Sequence, residues 1–136
     1  MAKGLRVVLN VADFDAVVAF YSFVLRLAVS GGWDRGPTDQ GALIEVAPGA
    51  VVEIVGHGPS FATPDYGDAA IAIEYANPAE VDEQYGRLRE LGLPVDAPKH
   101  RSWSHYSMNI RDPVGVEVVV FAEDSPSKPN PATAPT

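Results

Sequence analysis

The segment Ile110-Arg-Asp-Pro-Val-Gly-Val-Glu-Val-Val-Val-Phe121 occurs a second time, in weaker form, 66 positions earlier. In the later copy Pro113 presets φ for a turn, Gly115 tolerates positive φ, and Asp112 can bond back to its own backbone. With an apolar, β-branched run on one side and Tyr106-Ser-Met-Asn-Ile110 on the other, the segment reads as a hairpin. Its upstream counterpart runs from Ala42-Leu-Ile-Glu-Val46 through Pro48-Gly49 into Ala50-Val-Val-Glu-Ile-Val55. Leu25-Arg-Leu-Ala-Val29 matches Leu91-Gly-Leu-Pro-Val95 at the same offset, and Val7-Val-Leu-Asn-Val11 matches Ile71-Ala-Ile-Glu-Tyr75 at 64. A chain that repeats strand, helix and terminal hairpin in this order is an α+β protein of two βαβββ modules, at 5–56 and 68–121. Two copies make a duplicated domain and not a solenoid.

Within the first module, residues 5–11 alternate, with Val7, Leu9 and Val11 on one face and Arg6, Val8 and Asn10 on the other. Asp13 is an N-cap for a helix whose buried stripe is Val17, Phe20, Tyr21 and Val24. The glycine-rich stretch 30–41, which carries Trp33, reads as irregular structure or a weak edge strand. Strands at 42–47 and 50–55 follow, and a Gly- and Pro-rich linker, 56–67, joins the modules. The second module opens with a strand at 69–75. Asn77 then caps a helix, Pro78 takes its first position, and the Glu80 carboxylate reaches back to the cap. Val81, Tyr85, Leu88 and Leu91 form the buried stripe, and Gly92 ends the helix in the left-handed region. Residues 99–104, including Trp103, read as a polar loop ahead of the last hairpin.

Length bounds the rest. The chain has 136 residues, enough for one domain with its own core, taken here as 1–123. The Pro-rich tail 124–136 has almost nothing apolar to bury and is expected to be disordered. With no cysteine, no signal-like start and no apolar run of spanning length, the chain reads as cytoplasmic and without membrane contact. A net charge of −8 with 10 scattered Lys and Arg argues against a phosphate-backbone partner, because nucleic-acid binding is carried by clustered cations. The acidic surface suits a cationic ligand, and plain solubility explains it equally well.

Val11-Ala-Asp13 before a helix, Phe20-Tyr21-Ser-Phe-Val-Leu25 on it, Glu80-Val-Asp82 with Leu88 and Gly92 in the second helix, Trp103, and Asp112-Pro-Val-Gly115 stand in a recognisable order. Over residues 5–121 the chain resembles the vicinal-oxygen-chelate superfamily of glyoxalase I, extradiol dioxygenases, fosfomycin-resistance transferases and bleomycin-resistance proteins. The resemblance implies a cupped, barrel-like mixed sheet with helices outside and a cleft inside. Val7, Leu9, Val52, Ile54, Ile71, Ile73, Val118 and Val120 would then meet the helices. Departures are Arg26 where a helix-ending Gly is usual, Ser104 after the Trp, and Val116 at the close of the turn.

Metal-using members place ligands at four cleft positions, which the resemblance carries onto Arg6, Glu53, Ala70 (or Asp68) and Val119. Only Glu53 has ligand chemistry at its expected place, and a divalent ion needs at least three donors. No metal and no cofactor are therefore expected. His57, His100 and His105 read as solvated surface residues, with His105 the best placed for a cleft contact. Arg6 and Glu53 either pair across the cleft floor or point apart; the residues alone leave both open.

The function this points to is a metal-free small-molecule binding protein of the bleomycin-resistance type, sequestering an aromatic or cationic antibiotic. The ligand-binding candidates are Arg6, Asn10, Trp33, Glu53, Trp103, His105 and Phe121. The competing class is a glyoxalase-like lyase, isomerase or dioxygenase in the same cleft, with Arg6 holding an oxyanion and Glu53 moving a proton. Fold-level analogy does not choose between them. The resemblance also implies a homodimer.

Overall fold

The fold was obtained as a computed structural model, which describes residues 1–101 and 105–124. Its strands form two four-stranded mixed sheets. In the first, β1 (Leu5–Val11), β2 (Ala28–Asp34), β3 (Gln40–Ala47) and β4 (Ala50–Gly56) lie in the order β1-β4-β3-β2. In the second, β5 (Ala70–Glu74), β6 (Lys99–Arg101), β7 (His105–Arg111) and β8 (Glu117–Glu123) lie in the order β5-β8-β7-β6. The outer strand of each order runs parallel to its neighbour, β1 to β4 and β5 to β8; the other pairings are antiparallel. No ladder of the described residues joins the two sheets.

The chain divides into two compact units. The first holds Met1–Gly67 with the turn Asp112–Gly115, and the second holds Asp68–Arg111 and the described residues from Val116 onward. In the first unit α1 (Phe14–Ala19) packs on β4 and β3. Asp13 Oδ1 caps it by accepting from the Ala16 N–H at 3.2 Å, and the chain continues into a π-helical turn over Phe20–Val24. That turn was not foreseen: the Leu25 N–H reaches back five residues to the Phe20 carbonyl, 2.9 Å away. The core of this unit is Leu9, Val11, Val17, Phe20, Tyr21, Leu25, Ile44, Val52 and Ile54, all buried.

Tyr21 is fully enclosed, and its hydroxyl donates to Asp112 Oδ2 at 2.6 Å. The other carboxylate oxygen of Asp112 accepts from the Val114 N–H at 2.9 Å, and its carbonyl accepts from Gly115, whose φ is 89°. The Asp-Pro-x-Gly turn thus uses one oxygen of Asp112 for its own geometry and the other for a residue 91 positions away.

In the second unit α2 (Pro78–Glu90) packs on β8 and β7. Asn77 Oδ1 accepts from the Glu80 N–H at 3.0 Å, and Glu80 Oε2 accepts from Ala76, one residue before the cap. Gly92 has φ of 78°, and the Leu93 N–H bonds the Leu88 carbonyl at 3.1 Å, closing the helix as a Schellman turn. Two expectations change. Lys99–Arg101 is not loop but the edge strand β6, because the free edge of β7 supplies backbone partners that polar composition did not reveal. Leu91, assigned to the buried stripe, is 41% exposed, since the helix has ended before it. Trp103, Ser104 and the tail 125–136 lie outside the described residues.

Candidate functional site

Strand register decides which side chains share a face. On the first sheet the face away from α1 carries Arg6, Val8 and Asn10 from β1, Val51, Glu53 and Val55 from β4, Gly41, Leu43 and Glu45 from β3, and Trp33 from β2. Four of the sequence-derived candidates, Arg6, Asn10, Trp33 and Glu53, therefore fall on one surface.

At one end of it Arg6 Nη1 donates to Glu53 Oε1 at 3.0 Å. The two side chains are 59% and 17% exposed, so the pair is not a desolvated floor. At that exposure it stabilises the fold by about 0–1 kcal/mol. A hollow of about 370 Å³ adjoins Arg6, bounded by Lys3, Gly4, Leu5, Gly49 and Val51.

The other end is more elaborate. Trp33 lies directly opposite Gly41 across the β2–β3 ladder. A Cβ at Gly41 would overlap Cζ2, Cη2 and Cζ3 of the indole together, which means that the benzo ring lies face-down on the Gly41 backbone. The indole edge is held by Nε1–H donating to Asp39 Oδ1 at 2.9 Å. That bond, with Arg35 and the nearby charge of His57 acting against partial desolvation, holds the Asp39 carboxyl below the usual carboxylate range.

His57 continues the 53, 55, 57 alternation beyond β4. Its Nε2 is 2.9 Å from Asn10 Oδ1, an atom that accepts the bond when the ring nitrogen carries a proton. Its imidazole stacks on Phe61 with centroids 4.3 Å apart. Tyr66 meets the backbone of Asn10 twice, its oxygen accepting from the N–H at 2.8 Å and its hydroxyl donating to the carbonyl at 3.0 Å. Thr63 Oγ1 accepts from the Ala12 N–H at 2.9 Å. The linker thereby covers the C-terminal end of the outer edge of β1 and delivers His57, with Phe61 stacked on it, to Asn10.

The equivalent face of the second sheet is plainer. His105 and Phe121 are in ring contact at 4.8 Å, Arg101 Nε donates to Ser107 Oγ at 3.1 Å, and Asn109 bonds Glu117. Tyr106, between His105 and Ser107 on β7, points to the helix side and bonds Asp82 of α2. Trp103 lies outside the described residues.

Sequence reasoning set His57 aside as a surface histidine and passed over Asp39 and Gly41. The signal for His57 was present in the strand alternation carried two residues past Val55. Gly41 and Asp39 show their roles only once β2 and β3 are paired.

The four positions that hold metal in other members fit no divalent ion here. Arg6 brings a cation, Ala70 and Val119 have no side-chain donor atom, Glu53 is bonded to Arg6, and Asp68, the alternative to Ala70, adds at most one more carboxylate to the set. Among the described residues no group of three or more His, Cys, Asp or Glu converges.

A family model for the Glyoxalase/Bleomycin resistance protein/Dioxygenase superfamily matches residues 5–120. The chain belongs to that superfamily. Among solved structures this superfamily member is similar to a glyoxalase/bleomycin resistance protein/dioxygenase from Nocardioides, at 25% identity, 96% of this chain and 88% of that one, with a TM-score of 0.70. It shares its fold with a lactoylglutathione lyase from Agrobacterium tumefaciens, at 24% identity, 87% and 91% coverage and a TM-score of 0.65. The same holds for a glyoxylase/bleomycin resistance protein/dioxygenase domain from Frankia, at 16% identity, 90% and 98% coverage and a TM-score of 0.72. No protein of curated function matches the sequence significantly.

Proposed function

We propose that this protein binds a small molecule without a metal ion and protects by sequestering it, the ligand being aromatic or cationic. The observation that carries this reading is the Arg6–Glu53 pair: the one carboxylate at a metal position is engaged by a fixed guanidinium 3.0 Å away. Support comes from the character of the face around it, where Val8, Leu43, Val51 and Val55 alternate with carboxylates and an indole, a composition suited to a flat cation. Residues 1–123 form the working domain in this reading. The protein acts in the cytoplasm as a two-fold dimer, so sedimentation at micromolar concentration should give twice the chain mass.

The test is a thermal-shift screen of the full chain against planar cationic antibiotics and against Zn, Ni, Mn and Fe salts. A ligand that binds only the folded state at a hundred times its dissociation constant adds about 2.7 kcal/mol, while the metals leave the melting curve where it was. Metal-dependent turnover of a methylglyoxal–thiol adduct or a catechol, abolished by Glu53→Ala, overturns the proposal.

A further inference from the structure

We infer that His100 is a nucleophile toward activated acyl groups, and that its dyad with Asp124 forms a separate site at the outer edge of the second sheet, on the helix side. This site shares no residue with the open faces and is independent of the sequestration reading. His100 lies opposite Tyr106 across the β6–β7 ladder, and Tyr106 lies opposite Ala122 of β8. Asp124 carries the alternation of Ala122 two positions on, which returns it to the same face, and Asp82 reaches that face from α2. An imidazole, a phenol and two carboxylates thus meet within the second unit.

The imidazole is held on two sides. Its Nδ1 is 2.5 Å from Asp124 Oδ2. A carboxylate can only accept, so the neutral ring carries its proton on Nδ1 and its lone pair on Nε2. The ring also touches Tyr106, with centroids 4.8 Å apart, and the Tyr106 hydroxyl in turn donates to Asp82 Oδ1 at 2.5 Å. Exposure within the pair is opposite: the Asp124 side chain is 10% exposed and that of His100 is 74% exposed. The carboxylate is enclosed and the imidazole is presented. A pair wanted only to pin the edge strand gains nothing from enclosing the carboxylate; enclosure fixes the tautomer and the direction of Nε2 as well.

Nε2 oriented in this way adds to the carbonyl carbon of an ester, and the C–O electron pair departs with the leaving phenoxide or alkoxide. The acyl-imidazolium keeps its proton on Nδ1, where the Asp124 carboxylate offsets the positive charge. Water then adds to the acyl carbon, the C–N electron pair returns to Nε2, and the proton lost by water goes to the departed oxyanion. The sum is ester and water giving acid and alcohol. With two carboxylates beside the ring, the acyl donor is neutral or cationic.

An exposed histidine reacts with strong electrophiles without any help, and the experiment separates that reactivity from the dyad. The full chain is treated with p-nitrophenyl acetate and, separately, with diethyl pyrocarbonate. Wild type should release nitrophenolate roughly tenfold faster, or more, than an equal concentration of N-acetylhistidine amide, and His100→Gln should abolish the excess. Diethyl pyrocarbonate should label His100, located by peptide mass, before His57 and His105. Asp124→Asn, which keeps an acceptor and loses the charge, should slow both reactions at His100 by about fivefold or more. If that variant fails to fold, nitrogen NMR of the wild-type imidazoles decides: a proton on Nδ1 of neutral His100 supports the dyad, and a proton on Nε2 overturns it. Wild-type rates in folded Asp124→Asn protein belong to an exposed histidine alone and overturn the inference. Ester release no faster than from the amide, or undiminished in His100→Gln, overturns it too, and each of these results leaves sequestration on the open face standing.

Discussion

On the first sheet Arg6, Asn10 and Glu53 occupy the places that Ala70, Glu74 and Val119 occupy on the second, each set read from the same parallel ladder. Turned over, the two sheets agree: Leu9, Val52 and Ile54 of one correspond to Ile73, Val118 and Val120 of the other, and all six are buried. The helix side has kept its apolar character because a polar group there would lose water and gain no partner. The open side bears no such constraint, and the two copies carry different polar groups there, Arg6, Asn10 and Glu53 on one and Arg101, Ser107, Asn109 and Glu117 on the other. A duplicated chain of this kind carries its fold twice and its candidate site once.

The largest effect should come from breaking the shared side. Ile54→Ala and Ile73→Ala should each lose about 2–5 kcal/mol in chemical denaturation, whereas Val8→Ala on the open face, 45% exposed, should stay within about 0.5 kcal/mol. Equal losses at Val8 and Ile54 would mean that the open face is core.

Next is the buried Tyr21–Asp112 lock that follows the first helix, set against Tyr85 on the second. Tyr21→Phe leaves the buried Asp112 carboxylate short of a donor, for a loss of about 1–3 kcal/mol. Tyr85→Phe, whose hydroxyl accepts from the exposed Arg89, should change stability by well under 1 kcal/mol. Burial first, and then the Asp112 carboxylate, push the Tyr21 hydroxyl above the usual phenol value of 10.0. The neutral form is thus favoured by folding, so its contribution is complete below pH 10.0 and declines as pH rises further. Wild type should lose stability more steeply than Tyr21→Phe in alkaline titrations above that pH.

The helix ends give a smaller contrast. Arg26 and Gly92 hold corresponding positions, with φ of 56° and 78°. A side chain in the left-handed region costs about 1–2 kcal/mol, partly offset by glycine's greater freedom when unfolded. Arg26→Gly should therefore raise the unfolding free energy by about 0.5–1 kcal/mol, and Gly92→Ala should lower it by a similar amount or more, both read by chemical denaturation.

The smallest effect concerns the open face alone. Asp39 is held below the ordinary carboxylate value of 3.8, so its grip on Trp33 persists above that pH and is lost only as pH falls further. Indole emission in Trp103→Phe protein should shift in that acid range, and Asp39→Asn should show the shifted spectrum at every pH. A transition centred above 3.8 would show that Asp39 is not the group holding the ring.

Six of the eight strands of the described residues, both helix starts and both hairpin turns were legible in the sequence, because they rest on short-range physics, while β2 was read only as irregular structure or a weak edge strand. Alternation has a period of two, Asn77 lies three residues before the backbone N–H that it caps, and Gly115 answers to its own φ. The edge strand β6 was not legible: three polar residues become strand because β7 lies beside them. The π-helical turn was missed for want of any local mark.

Sequence alone settled which side chains share a face of each strand, since alternation needs no partner, and it put Arg6 and Asn10 on one side of β1 by that rule. Only the tertiary structure decided that Trp33 lies on Gly41 with Asp39 at its edge, that His57 reaches Asn10 across 47 residues, and that Tyr21 closes on Asp112 across 91. These meetings depend on which strands pair, in what register, and on where a long linker runs. No residue's own preference encodes them; they follow from how the whole chain buries its apolar faces and satisfies its backbone.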